Sequence, residues 1–78
     1  MKVTLESTTK IVALVINGVE VEARVWEGRT SSGIACHAYI TRIAVHREDD
    51  ASEFDRELKQ MRDPVNPDVA AMPRRIVI

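Results

Sequence analysis

The chain has one cysteine, three aromatic residues, three glycines and three prolines among 78 residues, and each scarcity closes off a class of protein. Cys36 alone cannot form an intrachain disulfide, and a metal site would have to be built from His37, His46 and carboxylates. If they share one extended strand, the two histidines stand roughly 30 Å apart, too far to hold a single ion. The reading is therefore no metal and no cofactor. No apolar run approaches the about 20 residues that cross a bilayer, and Met1-Lys2 leads into alternating residues rather than a signal-peptide core. A soluble, cytoplasmic protein with no membrane partner is expected.

Charge of either sign is also in short supply as an excess. Eleven Lys and Arg against twelve Asp and Glu leave a net charge of −1. That is no field for gathering a phosphate backbone, so a nucleic acid polymer is not the expected partner. A single domain of this size draws only roughly 3–5 kcal/mol from its core, and with no staple available self-association into a homo-oligomer is the expected aid.

What the sequence does have is alternation. KIVALVI (Lys10 to Ile16) and VEVEARVWEG (Val19 to Gly28) flank Asn17-Gly18, the strongest short hairpin signal. A two-residue turn pairs Ile16 with Val19, Leu14 with Val21, Val12 with Ala23 and Ile11 with Arg24. Val12, Leu14, Val21 and Val25 then share a core face, and Ile11, Ala13 and Val15 share the other with Glu20, Glu22, Arg24 and Trp26. After the polar turn Arg29 to Gly33, IACHAYITRIAVHR reads as a third strand over 34–46. Its expected phase puts Ile34, Cys36, Ala38 and Ile40 on the core face and His37 and Tyr39 beside Trp26. Keeping Ile43 and Val45 inside then requires a bulge or a strand break near Thr41-Arg42.

From Asp50 the period becomes helical. Ala51, Phe54, Leu58 and Met61 fall on one stripe of a helix over 50–61, with Asp50 as its cap and Asp63-Pro64 as its stop. A proline-rich connection follows at about 63–73, and 74–78 suits a last strand. Residues 2–6 suit a first strand ending in a Ser7-Thr8-Thr9 turn. The expected fold is a single α+β domain over 1–78: a small antiparallel β-meander of three to four strands, with one amphipathic helix packed on the valine face.

Nothing in this layout carries catalysis. Cys36 and His37 point to opposite faces of their strand and cannot act as nucleophile and base. Thr30-Ser31-Ser32-Gly33 could cradle a phosphate, but no helix follows it, and a plain hairpin turn is the better reading. The candidate binding residues are Arg24, Trp26, Arg29, His37, Tyr39 and Arg42, since aromatics and arginine concentrate at contact sites.

The motifs LESTTKIV, ARVWEG, T-x-SGI, HAYITRIAV and SEFDREL, which together span nearly the whole chain, resemble a set of short uncharacterised proteins encoded in bacteriophages and prophages of Gram-negative bacteria. The resemblance implies a non-enzymatic accessory protein acting in the host bacterial cytoplasm. Such a protein counters host defence by binding and blocking a host protein. The alternative is an oligomeric sponge that sequesters a nucleotide second messenger.

Overall fold

A computed structural model describes all of residues 1–78. The Asn-Gly hairpin dominates it. β1 (Val3–Ile16) and β2 (Val19–Thr30) run antiparallel in the register expected from the turn, from Ile16 opposite Val19 to Ile11 opposite Arg24. Asn17 and Gly18 take positive φ values of 51° and 77°, the backbone that a two-residue hairpin needs and that Asn and Gly tolerate best.

Ser7-Thr8-Thr9 does not end a first strand. β1 continues through it as an irregularity: Ser7 faces Trp26 and Ile11 faces Arg24, so three residues of β1 stand against Val25 alone. Two extra residues bend the strand without exchanging its faces, because side chains alternate with period two. The carbonyl of Val25, which has no ladder partner in β1, accepts from the Thr8 hydroxyl at 2.5 Å, and Thr8 is fully buried there. The displaced backbone pairs outward instead. Thr9 N–H donates to the Arg62 carbonyl at 2.9 Å, and the Ser7 hydroxyl donates to the Gln60 carbonyl at 2.8 Å.

β3 (Ala35–Ile40) pairs with β2 antiparallel, but one residue out of the expected phase. Trp26 faces Ala38, Arg24 faces Ile40, Glu27 faces His37 and Val25 faces Tyr39. Cys36, Ala38 and Ile40 therefore lie on the Trp26 face, and His37 and Tyr39 lie on the valine face. The turn sets this parity. Thr30 N–H donates to the Ile34 carbonyl and Gly33 N–H to the Thr30 carbonyl, closing a three-residue loop with Gly33 at φ 90°. β3 stops at Ile40, so the expected irregularity at Thr41-Arg42 is a strand break, and 41–49 carries no regular structure.

α1 (Ala51–Leu58) is capped as its sequence suggests: the Asp50 carboxylate accepts from Ser52 N–H at 3.0 Å and Glu53 N–H at 3.3 Å. The Ser52 hydroxyl, which donates to the same carboxylate at 2.6 Å, and those two backbone bonds hold the Asp50 carboxyl below its ordinary range. The helix ends before Met61 because Gln60 and Arg62 are engaged by the edge of β1 at Ser7. It buries none of its residues and does not cover the valine face. That task falls to the proline-rich connection, which holds a short helix, α2 (Pro67–Ala70), with Asn66 as cap and Pro67 in its first turn. Val69 of α2 closes the core of Val12, Leu14, Ala23 and Val25, with Met72 and Ile76 packed against it. β4 (Arg75–Val77) then joins β1 beside Ala13–Val15, in parallel. The sheet order is β3-β2-β1-β4, a mixed sheet in an α+β domain rather than an all-antiparallel meander.

One stability consequence follows from the position of α1. Phe54 is only half-buried, so Phe54→Ala should cost about 1 kcal/mol, well short of the 3–5 kcal/mol typical of an aromatic deleted from a full core. Denaturant unfolding of the two proteins measures it. A loss of the full-core size would place α1 in the core after all.

Candidate functional site

The face of the sheet that carries Trp26 meets α1 across a cleft of about 430 Å³. Its floor is Trp26 and Ile40, and its far wall is Phe54 and Leu58 of α1 with Ile43 from the connecting segment. Arg24 and Arg42 line it as cations, and Glu57 as the one carboxylate. Local sequence explains each placement. Arg24 and Trp26 alternate onto this face of β2, Ile40 is set beside Arg24 by the register of β3, and Phe54 and Leu58 share one stripe of α1.

Arg24 is held in place. One Nη1 donates to the Thr8 carbonyl at 2.7 Å and approaches the Met61 sulfur at 3.3 Å, so the bulge in β1 fixes the guanidinium and leaves its other nitrogens free. Arg42 is tethered only to its neighbour, donating to the Thr41 carbonyl at 2.9 Å. Trp26 is half-buried, with α1 and Met61 on its flanks, so its own chain supplies part of its cover.

Of the six candidate residues, Arg24, Trp26 and Arg42 come together in this cleft. The other three do not join them. Arg29 braces the three-residue turn, donating to the Gly33 carbonyl at 2.9 Å, and Thr30 spends its hydroxyl on Ile34 N–H within the same loop. His37 and Tyr39 pair on the opposite face, with His37 Nε2 and Tyr39 Oη 3.3 Å apart and the rings edge to face at 5.4 Å. The patch of Trp26 with His37 and Tyr39 is therefore not formed.

Sequence reasoning missed a second polar cluster. Glu27 occupies the valine phase of β2 and is almost wholly buried, 5% exposed. Its Oε1 accepts from Arg62 Nη1 at 2.6 Å and Val65 N–H at 3.0 Å, and its Oε2 accepts from Asn66 N–H at 3.0 Å. Burial pushes the carboxyl up, but the three hydrogen bonds and the Arg62 charge outweigh it and leave it below 4.5. The Glu27 bond likewise raises the Arg62 guanidinium. The signal was present in VEVEARVWE: Glu27 is the charged residue that falls where a fifth apolar one is due. Both carboxylate oxygens are consumed by internal donors, which makes this a structural clasp and not a site with free valence.

No group of three or more His, Cys, Asp or Glu is gathered at metal-binding distance. No helix is long and apolar enough to cross a membrane. Compared with family models, curated proteins and solved structures, the chain matches none.

Proposed function

We propose that the protein is a non-enzymatic binding protein whose site is the cleft between Trp26 and α1, and that its ligand is a small anion bearing a flat aromatic ring, the chemistry of a nucleotide. The observation that supports this reading is that Trp26 lines one cleft together with two arginines, Arg24 and Arg42, and a single carboxylate, Glu57. An indole stacks on a base, and charge-assisted bonds from arginine hold phosphate oxygens. The cleft volume lies in the range of small-molecule sites. In the phage setting that the sequence resembles, such a protein acts as a sponge for a nucleotide messenger of host defence.

Blocking of a host protein is the second reading, and a different observation favours it. α1 leaves the hairpin end of the Trp26 face open. Ile11 is 45% and Val77 79% exposed there, beside Val15. Apolar surface of that kind suits a protein contact, including one with a second copy of the chain.

The sole tryptophan is a built-in reporter. Titration of the purified protein with mono- and dinucleotides should quench Trp26 fluorescence saturably, and small molecules released by heating should include a nucleotide. Arg42→Ala should weaken binding at least tenfold, since a hydrogen bond to a charged group contributes about 1.5–3 kcal/mol. Absence of both quenching and any released ligand overturns the ligand reading and leaves the protein contact.

A further inference from the structure

The edge of β2 is open where β3 stops. β3 covers Arg24–Arg29, whereas Val19–Ala23 pair with β1 alone. If β3 ran on past Ile40 in its own register, Arg42 would face Glu22, Ile43 would face Val21 and Val45 would face Val19. Each pairing is favourable: opposite charges on one side of the sheet and β-branched pairs on the other. We infer that Thr41–Val45 docks reversibly on this edge as an extension of β3, and that the described structure is the open form of this zipper.

Four observations support it. The backbone of Arg42–Val45 makes no backbone hydrogen bond anywhere else, so its donors and acceptors are free to pair. Thr41 and Arg42 already line a shallow depression with Ala23 and Glu22, the first partners the register requires. Val19, Ile43 and Val45 are 62%, 41% and 37% exposed, and zipping would bring them together on the valine side. An open edge is also a standing invitation to pairing, which a short complementary segment from the same chain answers at the lowest loop cost. A second copy is a poorer occupant. Antiparallel β2-to-β2 pairing about a two-fold axis sets Glu20 against Glu22, or each against itself, and like charges directly opposite are destabilising. Because Ile43 also walls the Trp26 cleft, the zipped form has a wider cleft than the open one.

Cross-linking tests the register in the ligand-free full chain, so it does not depend on the proposed ligand. In a Cys36→Ala background, Glu20→Cys with Ala44→Cys creates a directly opposed pair, and Val21→Cys with Ala44→Cys creates a pair on opposite faces. In a glutathione redox buffer the first should close an intrachain disulfide at least tenfold faster than the second. Equal rates, or disulfide-linked dimers as the main product, would overturn the inference. Hydrogen exchange gives an independent measure. Those Val19–Ala23 amides that point away from β1 should lose about fivefold protection in Glu22→Arg and recover it in Glu22→Arg with Arg42→Glu. Protection that is indifferent to both changes also overturns it.

Discussion

Gly28→Ala should leave the chain largely unfolded at room temperature. Gly28 sits mid-strand in β2, opposite Leu5 on one side and Cys36 on the other. A Cβ built there lies 1.7 Å from the Thr4 carbonyl oxygen and 2.9 Å from the Leu5 Cα. Those atoms are backbone, so no side chain can rotate away, and relief requires β1 to leave its place over β2. Forced overpacking costs 1–3 kcal/mol when a core can shift, and more when backbone is the obstacle, so about 3 kcal/mol or above is expected. A domain with roughly 3–5 kcal/mol in hand does not survive that. Gly18→Ala is the contrast. Nothing lies within 4 Å of its Cβ, and its cost comes only from the φ of 77°. Circular dichroism and urea unfolding of the two variants separate steric exclusion from backbone strain. Gly28→Ala unfolding at the same urea concentration as the parent would mean that β1 does not cross so close to Gly28.

The contrast between these glycines shows which parts of the fold were legible. Asn17-Gly18 announces its hairpin because the two-residue turn chemistry is local, and the register from Ile16 down to Ile11 follows by counting. Asp50 announces its helix for the same reason. The need for Gly28 is not local. It depends on Thr4, more than twenty positions away, and nothing in WEGRT distinguishes that glycine from a turn glycine. The phase of β3 fails on a single residue: whether the loop after Thr30 holds an odd or even number decides which face His37 and Tyr39 occupy, and S-S-G fits either. In this register Tyr39, Thr41, Ile43 and Val45 all share the phase of Val25, so the break at Thr41-Arg42 interrupts the strand without changing its apolar phase. The stripe of α1 matches either face of the sheet, because both faces of KIVALVI are apolar. What decides between them is Asn66-Pro67-Asp68-Val69, a capped turn with proline at its first position, which puts Val69 on the valine face and leaves the Trp26 face to α1. The Trp26 cleft was half-legible. Arg24 and Trp26 follow from alternation, while Phe54 enters only once α1 is known to lie on their side.

Glu27→Gln should destabilise the fold by about 2 kcal/mol at neutral pH, the cost of leaving a buried hydrogen-bonding group unsatisfied, since the Arg62 charge left behind still reaches solvent. The substitution is nearly isosteric, so packing barely changes and hydrogen bonding is isolated. Glutamate offers two acceptor oxygens, and the structure uses both: Oε1 for Arg62 and Val65 N–H, Oε2 for Asn66 N–H. Glutamine has one acceptor oxygen and an NH₂ group. Either orientation turns a donor toward a donor, at Asn66 in one case and at Arg62 and Val65 in the other. The clasp joins β2 to the start of the proline-rich connection, so loosening it frees Val69 from the core it closes. The same group sets a pH signature. Its folded carboxyl is depressed below the ordinary 4.5, so its contribution is complete above that value and drains away as pH falls through the folded one. The gap in unfolding free energy between parent and Glu27→Gln should therefore be widest at neutral pH and should close on acidification, because the parent then carries a protonated carboxyl with the same missing acceptor. Urea midpoints for both proteins across that range test it directly. A gap that stays constant into acid would show that Glu27 stabilises the fold by shape alone, and a gap near zero at neutral pH would show that Arg62 and the two amides find other acceptors.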